Sequence, residues 1–265
     1  MWQSTFVDSH GLKLHLTRTG GDKPALVLAH GFSDDGLCWT PVARALEDRF
    51  DVVMVDARGH GRSDGPEGGY GPADQAEDLA GAIVALGLER PLILGHSMGA
   101  LTALTMASLH PELPGAILLE DPPAVWNATG TEDEAWLSGF RSWVVGLKRH
   151  TRDELIAQQR AETPHWGDDE VGPWADAKLR LSFNVLSRGR SLTPEQIQGL
   201  RRVVCPALLI TGDPALGAIV DAAAGESLRA LLPQLDVAHI AGAGHSIRRD
   251  QLAAYMAALE RGLAA

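Results

Sequence analysis

The sequence has few groups that could bind polyanions or form disulfide bonds. Its 265 residues include only two cysteines, Cys38 and Cys205, and 23 basic residues against 34 acidic ones, which gives a net charge of -11. Such an acidic chain is unsuited to nucleic acid or an anionic membrane as its main partner. Two cysteines cannot be paired from sequence alone, and we expect free thiols in a reducing cytoplasm.

Long apolar runs and targeting signals are also missing. No apolar stretch approaches the roughly 20 residues that span a bilayer, and residues 1–5 lack the basic and then apolar pattern of a signal peptide. We therefore expect a cytoplasmic protein without membrane association. The sequence has neither a metal-ligand constellation nor a phosphate-binding loop, so it predicts no metal and no cofactor.

Short apolar segments alternate along the chain with amphipathic stretches of helical periodicity. This alternation predicts a parallel sheet with helices on both faces. Two further segments read as a hairpin at an exposed edge of the sheet. The fold class is therefore α/β, with a mostly parallel sheet of eight strands. The hairpin strands are 6–8 and 12–16, and the later ones 24–29, 51–55, 91–94, 115–119, 206–210 and 235–240.

The alternation is interrupted between Pro123 and about Leu192, where only helix-like segments occur. We predict a core domain of residues 1–123 and 193–265, with a helical cap of residues 124–192 inserted after the sixth strand. Five of the seven tryptophans lie in this cap: Trp126, Trp136, Trp143, Trp166 and Trp174.

Most of these tryptophans should simply form the core of a small helical insert. An insert that leaves the sheet from a strand end beside the site must nevertheless lie above that site. Some of its aromatic side chains should then line a pocket for an apolar substrate. We assign this substrate-binding role to Trp126 and Trp143.

Residues 91–100, PLILGHSMGA, have the pattern of a nucleophile elbow. A short apolar segment leads into Gly95-His96-Ser97-Met98-Gly99, of the form G-x-S-x-G, and a helix-forming pattern follows. The two glycines remove β-carbons that would collide as strand and helix close on each other. The pattern predicts Ser97 as a nucleophile, with the amide of Met98 pointing the same way.

Polar residues cluster at the carboxyl ends of the predicted strands, which is where parallel sheets bind ligands. Ser97, Asp121, Asp213, His245 and the loop 30–32 all fall at such ends. A serine hydroxyl is a poor nucleophile and needs a general base within hydrogen-bond reach. His245, in a glycine-rich loop after the last strand, is the candidate.

The chain resembles the α/β-hydrolase superfamily, of the single-domain type with a helical cap. The resemblance covers nearly the whole length and rests on four segments, HGF at 30–32, DARGHGRS at 56–63, GHSMG at 95–99 and GAGH at 242–245. It implies that His245 is the base for Ser97 and that the backbone amides of Phe32 and Met98 form an oxyanion hole. The side chain of Phe32 would then help to shape the substrate pocket.

The acid that orients His245 is left open between two aspartates. The family commonly places this acid at the position that Ala215 occupies here. Asp213 lies close to that position, but Pro214 restricts it to extended conformations. Asp121 ends an apolar strand with a stiff exit of two prolines, and strand alternation turns the glutamate before it to the other side. We prefer Asp121.

The leading interpretation is a serine hydrolase that cleaves a carboxylic ester or lactone of a fairly apolar substrate through an acyl-enzyme. The serine excludes the aspartate-nucleophile chemistries of the fold. Alternatives are hydrolysis of a carbon–carbon bond, cofactor-free haloperoxidase or perhydrolase activity, and a ligand receptor with slow hydrolysis, because a fold alone does not settle function. We expect a small-molecule ester or lactone as the partner, and a monomer or homodimer.

Overall fold

The computed structural model describes residues 1–127, 134–187 and 192–263, with the backbone only for residues 134–137. No helix within these ranges is both long enough and apolar enough to cross a bilayer. Both cysteines are buried free thiols, as expected. Burial raises the pKa of Cys205 to about 11.

Eight strands form one sheet in the order β1-β2-β4-β3-β5-β6-β7-β8. The hairpin β1–β2 is antiparallel and joins β4 in antiparallel fashion, whereas every later pair of neighbours is parallel. The predicted fold class is therefore confirmed. The strands are β1 (Gln3–Ser9), β2 (Leu12–Arg18), β3 (Ala25–Ala29), β4 (Asp51–Val55), β5 (Leu92–His96), β6 (Ala116–Glu120), β7 (Ala207–Thr211) and β8 (Leu235–His239).

Local sequence signals account for several helix ends. Thr151 begins a helix by accepting the amide of Glu154, whose carboxylate accepts the amide of Thr151 in return. The described α-helices are α1 (Thr40–Leu46), α2 (Pro72–Ala85), α3 (Met98–Leu109), α4 (Glu134–Leu147), α5 (Arg152–Glu162), α6 (Asp168–Arg180), α7 (Pro194–Gly199), α8 (Ala222–Leu231), α9 (Ile247–Asp250) and α10 (Leu252–Leu263).

The start of α1 differs from the sequence pattern, which favours Thr40 as its N-cap. A 3-10 turn over Gly36–Trp39 precedes the helix, and the side chain of Asp35 accepts the amide of Leu37 to begin it. The chain is therefore already helical when it reaches Thr40. Asp35, five residues upstream, therefore serves as the N-cap residue in place of Thr40.

The sheet is covered on both faces, and its strand residues alternate between two apolar cores. Val27 and Ile93 face one core, which α2, α3 and α8 cover. Leu104 of α3 belongs to the same core. Leu28 and Leu94 face the other core, which α1 and α10 cover. This two-sided burial explains why the central strands are apolar throughout.

The segment between β6 and α7 carries α4, α5 and α6, and its described residues contain no strand. We call these three helices the cap. Leu147, Leu155 and Ala175 form a small core of their own within it. The residues at the two ends of the predicted insert, Trp126 and Leu192, instead pack into the main core.

Candidate active site

The strand β5, Ser97 and the helix α3 form a sharp turn above the sheet. Ser97 has a φ of 50° and a ψ of -115°, a strained conformation for a residue with a side chain. A β-carbon on Gly95 would lie 2.4 Å from the carbonyl carbon of Gly99, and one on Gly99 would lie 2.1 Å from the carbonyl oxygen of Ala29. Only glycine fits at either position, so the elbow holds the serine in place by sterics.

The loop after β3 lies directly against this turn. A β-carbon on Gly31 would come within 2.5 Å of Nδ1 of His96 and 3.4 Å of Cβ of Ser97. The next residue, Phe32, packs its ring against His60 and against Phe140 of the cap, with ring centroids 5.5 and 4.4 Å apart. The loop thus brings the Phe32 backbone beside the serine and its side chain to the cap.

His245 and Asp121 form a short hydrogen bond, 2.6 Å from Nδ1 to Oδ2. The Asp121 carboxylate is fully buried and also accepts the amides of Ile219 and Val220 at 2.8 and 2.9 Å. These bonds fix the direction of the carboxylate. Nδ1 of His245 is thereby engaged, which leaves Nε2 as the ring nitrogen available for proton transfer.

Asp213, the other candidate acid, has different partners. One carboxylate oxygen accepts the amide of Gly242 at 2.6 Å, and the other lies 3.0 Å from Nε2 of His239. Asp213 therefore braces the start of the loop that carries His245, and it does not contact the His245 ring.

Glu120 points to the opposite side of β6 from Asp121, as strand alternation predicts. It accepts the backbone amide of Arg248 at 3.0 Å, its guanidinium at 3.2 Å and the hydroxyl of Tyr255 at 3.1 Å. Burial raises the pKa of Glu120, although the Arg248 charge opposes that shift. Glu120 thereby holds the segment that follows His245 against the sheet.

His96 supports the same loop from the other side. Its Nε2 donates to the carbonyl oxygen of His245 at 2.9 Å, and the two rings lie with centroids 4.7 Å apart. Burial, assisted by the charges of Arg248 and His245, lowers the pKa of His96 well below its usual value. A neutral ring donates this bond without adding a positive charge beside the His245 ring.

Sequence reasoning did not find a buried charge cluster beside the site. Asp34 accepts Nζ of Lys178, in α6 of the cap, at 2.8 Å and a guanidinium nitrogen of Arg249 at 3.1 Å. Burial would raise the pKa of Asp34, but the charges of Arg249, Lys178 and Arg248 outweigh it and hold that pKa well below the usual range. Three chain segments meet at this carboxylate, and no sequence period links them.

Ser97 and His245 line one cleft of about 420 Å³ beneath the cap. Within the described residues, Ser97 Oγ and the His245 ring form no hydrogen bond with each other. The distance between a nucleophile and its base is often long before a substrate binds. The walls include the rings of Phe32, Phe140 and Trp143 on one side.

The tryptophans of the predicted insert, residues 124–192, separate into different roles. Trp143, Trp166 and Trp174 line the cleft. Trp126 does not: it is 7% exposed, packs in the main core and donates its indole N–H to the carbonyl oxygen of Ala224 at 3.0 Å. This corrects the expectation that Trp126 binds substrate, because the chain turns into the core before it enters the cap. The Trp136 side chain lies outside the described residues.

Comparison with known proteins agrees with this architecture. A family model described as the alpha/beta hydrolase family matches residues 26–258. N-formylmaleamate deformylase of Pseudomonas putida is 30% identical over 255 residues, which cover 95% of this chain and 93% of that protein. 2-(Acetamidomethylene)succinate hydrolase of Mesorhizobium japonicum is 29% identical over 243 residues, with 87% and 84% covered.

A crystal structure of E-2-(acetamidomethylene)succinate hydrolase has the same fold. Its TM-score is 0.79 at 24% identity, and the match covers 100% of both chains. The protein described here belongs to the alpha/beta hydrolase family, and it is a hydrolase.

Proposed function

We propose that this hydrolase cleaves an acyl bond through an acyl-enzyme on Ser97, with His245 as general base and Asp121 as the acid that orients it. The observation that carries the proposal is the 2.6 Å bond between Asp121 and His245 in a cleft that Ser97 also lines. A nucleophile, a base and an orienting acid define a triad by their geometry and roles.

In this mechanism Ser97 Oγ attacks the substrate carbonyl carbon while Nε2 of His245 takes the hydroxyl proton. The same proton then passes to the leaving group, and water repeats the sequence to release the acid. The oxyanion would be bound by the amides of Met98, in the first turn of α3, and of Phe32, in the loop against Ser97. Each such donor lowers the activation free energy by about 2.7–4 kcal/mol.

The substrate we favour is an ester or lactone with an apolar acyl part. Aromatic rings line one wall of the cleft in a continuous series, with 4.4 Å between Phe32 and Phe140 and 5.7 Å between Phe140 and Trp143. The two cations among the described lining residues, Lys178 and Arg249, are paired with Asp34 and Glu170. An uncharged substrate therefore suits this cleft better than a dicarboxylate does.

An N-acyl amide is a second candidate substrate. Two relatives that match along most of the chain are named as a deformylase and as a hydrolase of an acetamido compound. The same groups would serve, because protonated His245 can donate its proton to a departing nitrogen. The two candidates differ only in the bond broken, C–O or C–N.

The test is turnover of p-nitrophenyl acetate, p-nitrophenyl butyrate, simple lactones and N-formyl and N-acetyl enamides by the purified protein. We expect many turnovers, and the Ser97→Ala variant should fold normally and lose at least about 10⁴-fold in rate. Stoichiometric labelling with a persistent adduct would instead indicate a receptor. Turnover of carbon–carbon substrates alone, or peroxide-dependent halogenation alone, would contradict acyl-bond hydrolysis.

A further inference from the structure

A second groove, of about 570 Å³, is also lined by His245, and none of the aromatic wall residues Phe32, Phe140 and Trp143 lines it. We call it the side groove. Three residues, Trp166, His245 and Ser246, line both the side groove and the cleft that contains Ser97. These three residues therefore lie where the two spaces meet. Small molecules in the side groove would contact the catalytic histidine without passing the aromatic wall.

Trp166 is held in this boundary by several contacts. Its indole N–H donates to Oδ1 of Asp250 at 3.2 Å, and the Arg249 guanidinium lies 4.8 Å from its ring centroid. Oδ2 of Asp250 accepts the amide of Gly244, the residue before His245, at 2.8 Å. The Trp166 ring and the loop before His245 are thus bound to one carboxylate, that of Asp250.

The side groove opens to solvent. Leu216 at its rim is 57% exposed, and the side chain of His165 is 54% exposed and lies 3.1 Å from Asp250. His245 itself retains 34% of its side-chain exposure. The His245 side chain is thus partly exposed and lines a groove that is open to water.

We propose that the side groove is the route by which the leaving group departs from His245 and the second nucleophile, water or a small alcohol, arrives there. The inference rests on the proposed acyl-enzyme mechanism. During that reaction the acyl group occupies the cleft while His245 exchanges protons with two different small molecules. A separate route lets both exchanges occur with the acyl group in place.

The step to be followed is transfer of the acyl group to an alcohol. The alcohol oxygen bonds to the acyl carbonyl carbon, Nε2 of His245 takes the alcohol proton, and the bond from that carbon to Ser97 Oγ breaks as Oγ receives the proton. Water follows the same path and yields the acid. Both products arise from one acyl-enzyme, so their ratio is independent of enzyme concentration and of the rate of acylation.

The experiment measures this ratio with p-nitrophenyl acetate as donor and methanol or benzyl alcohol as acceptor. Leu216→Trp narrows the groove at an exposed position and Leu216→Ala widens it. Val204→Trp, at a residue that is 66% exposed and lines neither space, is the matched control.

We expect Leu216→Trp to reduce transfer to benzyl alcohol relative to methanol by about tenfold, the size of a typical steric discrimination in a pocket. Leu216→Ala should shift the ratio in the opposite direction, while Val204→Trp keeps the wild-type ratio. If Leu216→Trp fails to fold, the Leu216→Ala shift still decides the question.

Two results would overturn the route and leave the mechanism intact. One is a wild-type ratio in both Leu216 variants. The other is release of p-nitrophenol over many turnovers with no transfer even to methanol. A wild-type protein that turns over no acyl donor would instead remove the proposed function, and the route with it.

Discussion

Asp121 and His245 are 124 residues apart in the chain, yet their side chains are 2.6 Å apart in the structure. The contact depends on two parallel strands that end at the same edge of the sheet. Asp121 follows β6, and the His245 loop follows β8, with β7 between them. The Asp121 carboxylate therefore reaches His245 from two strands away. Asp213, which follows β7, instead binds the amide of Gly242 at the start of the His245 loop.

Asp121→Asn should keep the fold and reduce turnover by about 10⁴-fold, because the amide no longer holds the imidazole in the required tautomer. Asp213→Asn should reduce turnover by less than about tenfold, since it weakens contacts to Gly242 and His239 and none to the His245 ring. Steady-state kinetics on both variants provides the comparison. A crippled Asp213→Asn beside a nearly normal Asp121→Asn would reverse the assignment.

Trp143→Ala and Trp126→Ala should have opposite consequences. Trp143 lines the cleft and is 44% exposed, so its loss should change the preference between acetyl and bulkier acyl esters with little effect on unfolding. Trp126 is a core residue, and its loss should cost about 3–5 kcal/mol of stability while the acyl preference stays the same. Ester profiling and chemical denaturation of both variants test this; a changed profile in Trp126→Ala would show that the core position does not exclude a substrate role.

Asp34→Ala should destabilise the protein by about 3–5 kcal/mol, because it leaves buried Lys178 and Arg249 without their shared carboxylate. The matched control is Asp168→Ala, which removes a pair with Arg160 between side chains that are 88% and 57% exposed. Its effect should be small, since exposed ion pairs contribute little. Urea denaturation at constant pH measures the free energy of unfolding of both variants. Equal losses would contradict a larger contribution from the buried cluster than from the exposed pair.

Stability should fall as the pH drops below about 6.5, partly through His96. Its pKa is well below the usual value in the folded protein, whereas in the unfolded chain it returns to about 6.5. Between these two values only the unfolded state binds the proton, so acid favours unfolding. His96→Gln should remove up to about 1.4 kcal/mol per pH unit from the slope of unfolding free energy between pH 6.5 and 5.5.

The control for this slope is His150→Gln, at an exposed position three residues after the end of the cap helix α4. Denaturation curves at four or five pH values in the same buffer salts give the slopes. An unchanged slope in His96→Gln would contradict a neutral buried imidazole in the folded state.

The elements that sequence alone determined are those set by short-range forces. The steric demand at Gly95 and Gly99 specifies the elbow, and the capping box at Thr151 specifies a helix start. Runs of apolar residues specify strands buried on both faces. Each of these signals lies within about ten residues, so the chain carries it before any tertiary contact forms.

Tertiary structure alone decided which distant groups meet. Periodicity contains no information on whether Asp121 or Asp213 reaches His245, since both end strands at the same edge of the sheet. The pairing of Asp34 with Lys178 and Arg249, and the burial of Trp126 outside the cleft, depend likewise on how the cap and the loops pack. Such contacts join segments with no local signal in common, and packing selects their partners because an unpaired buried charge or N–H is costly.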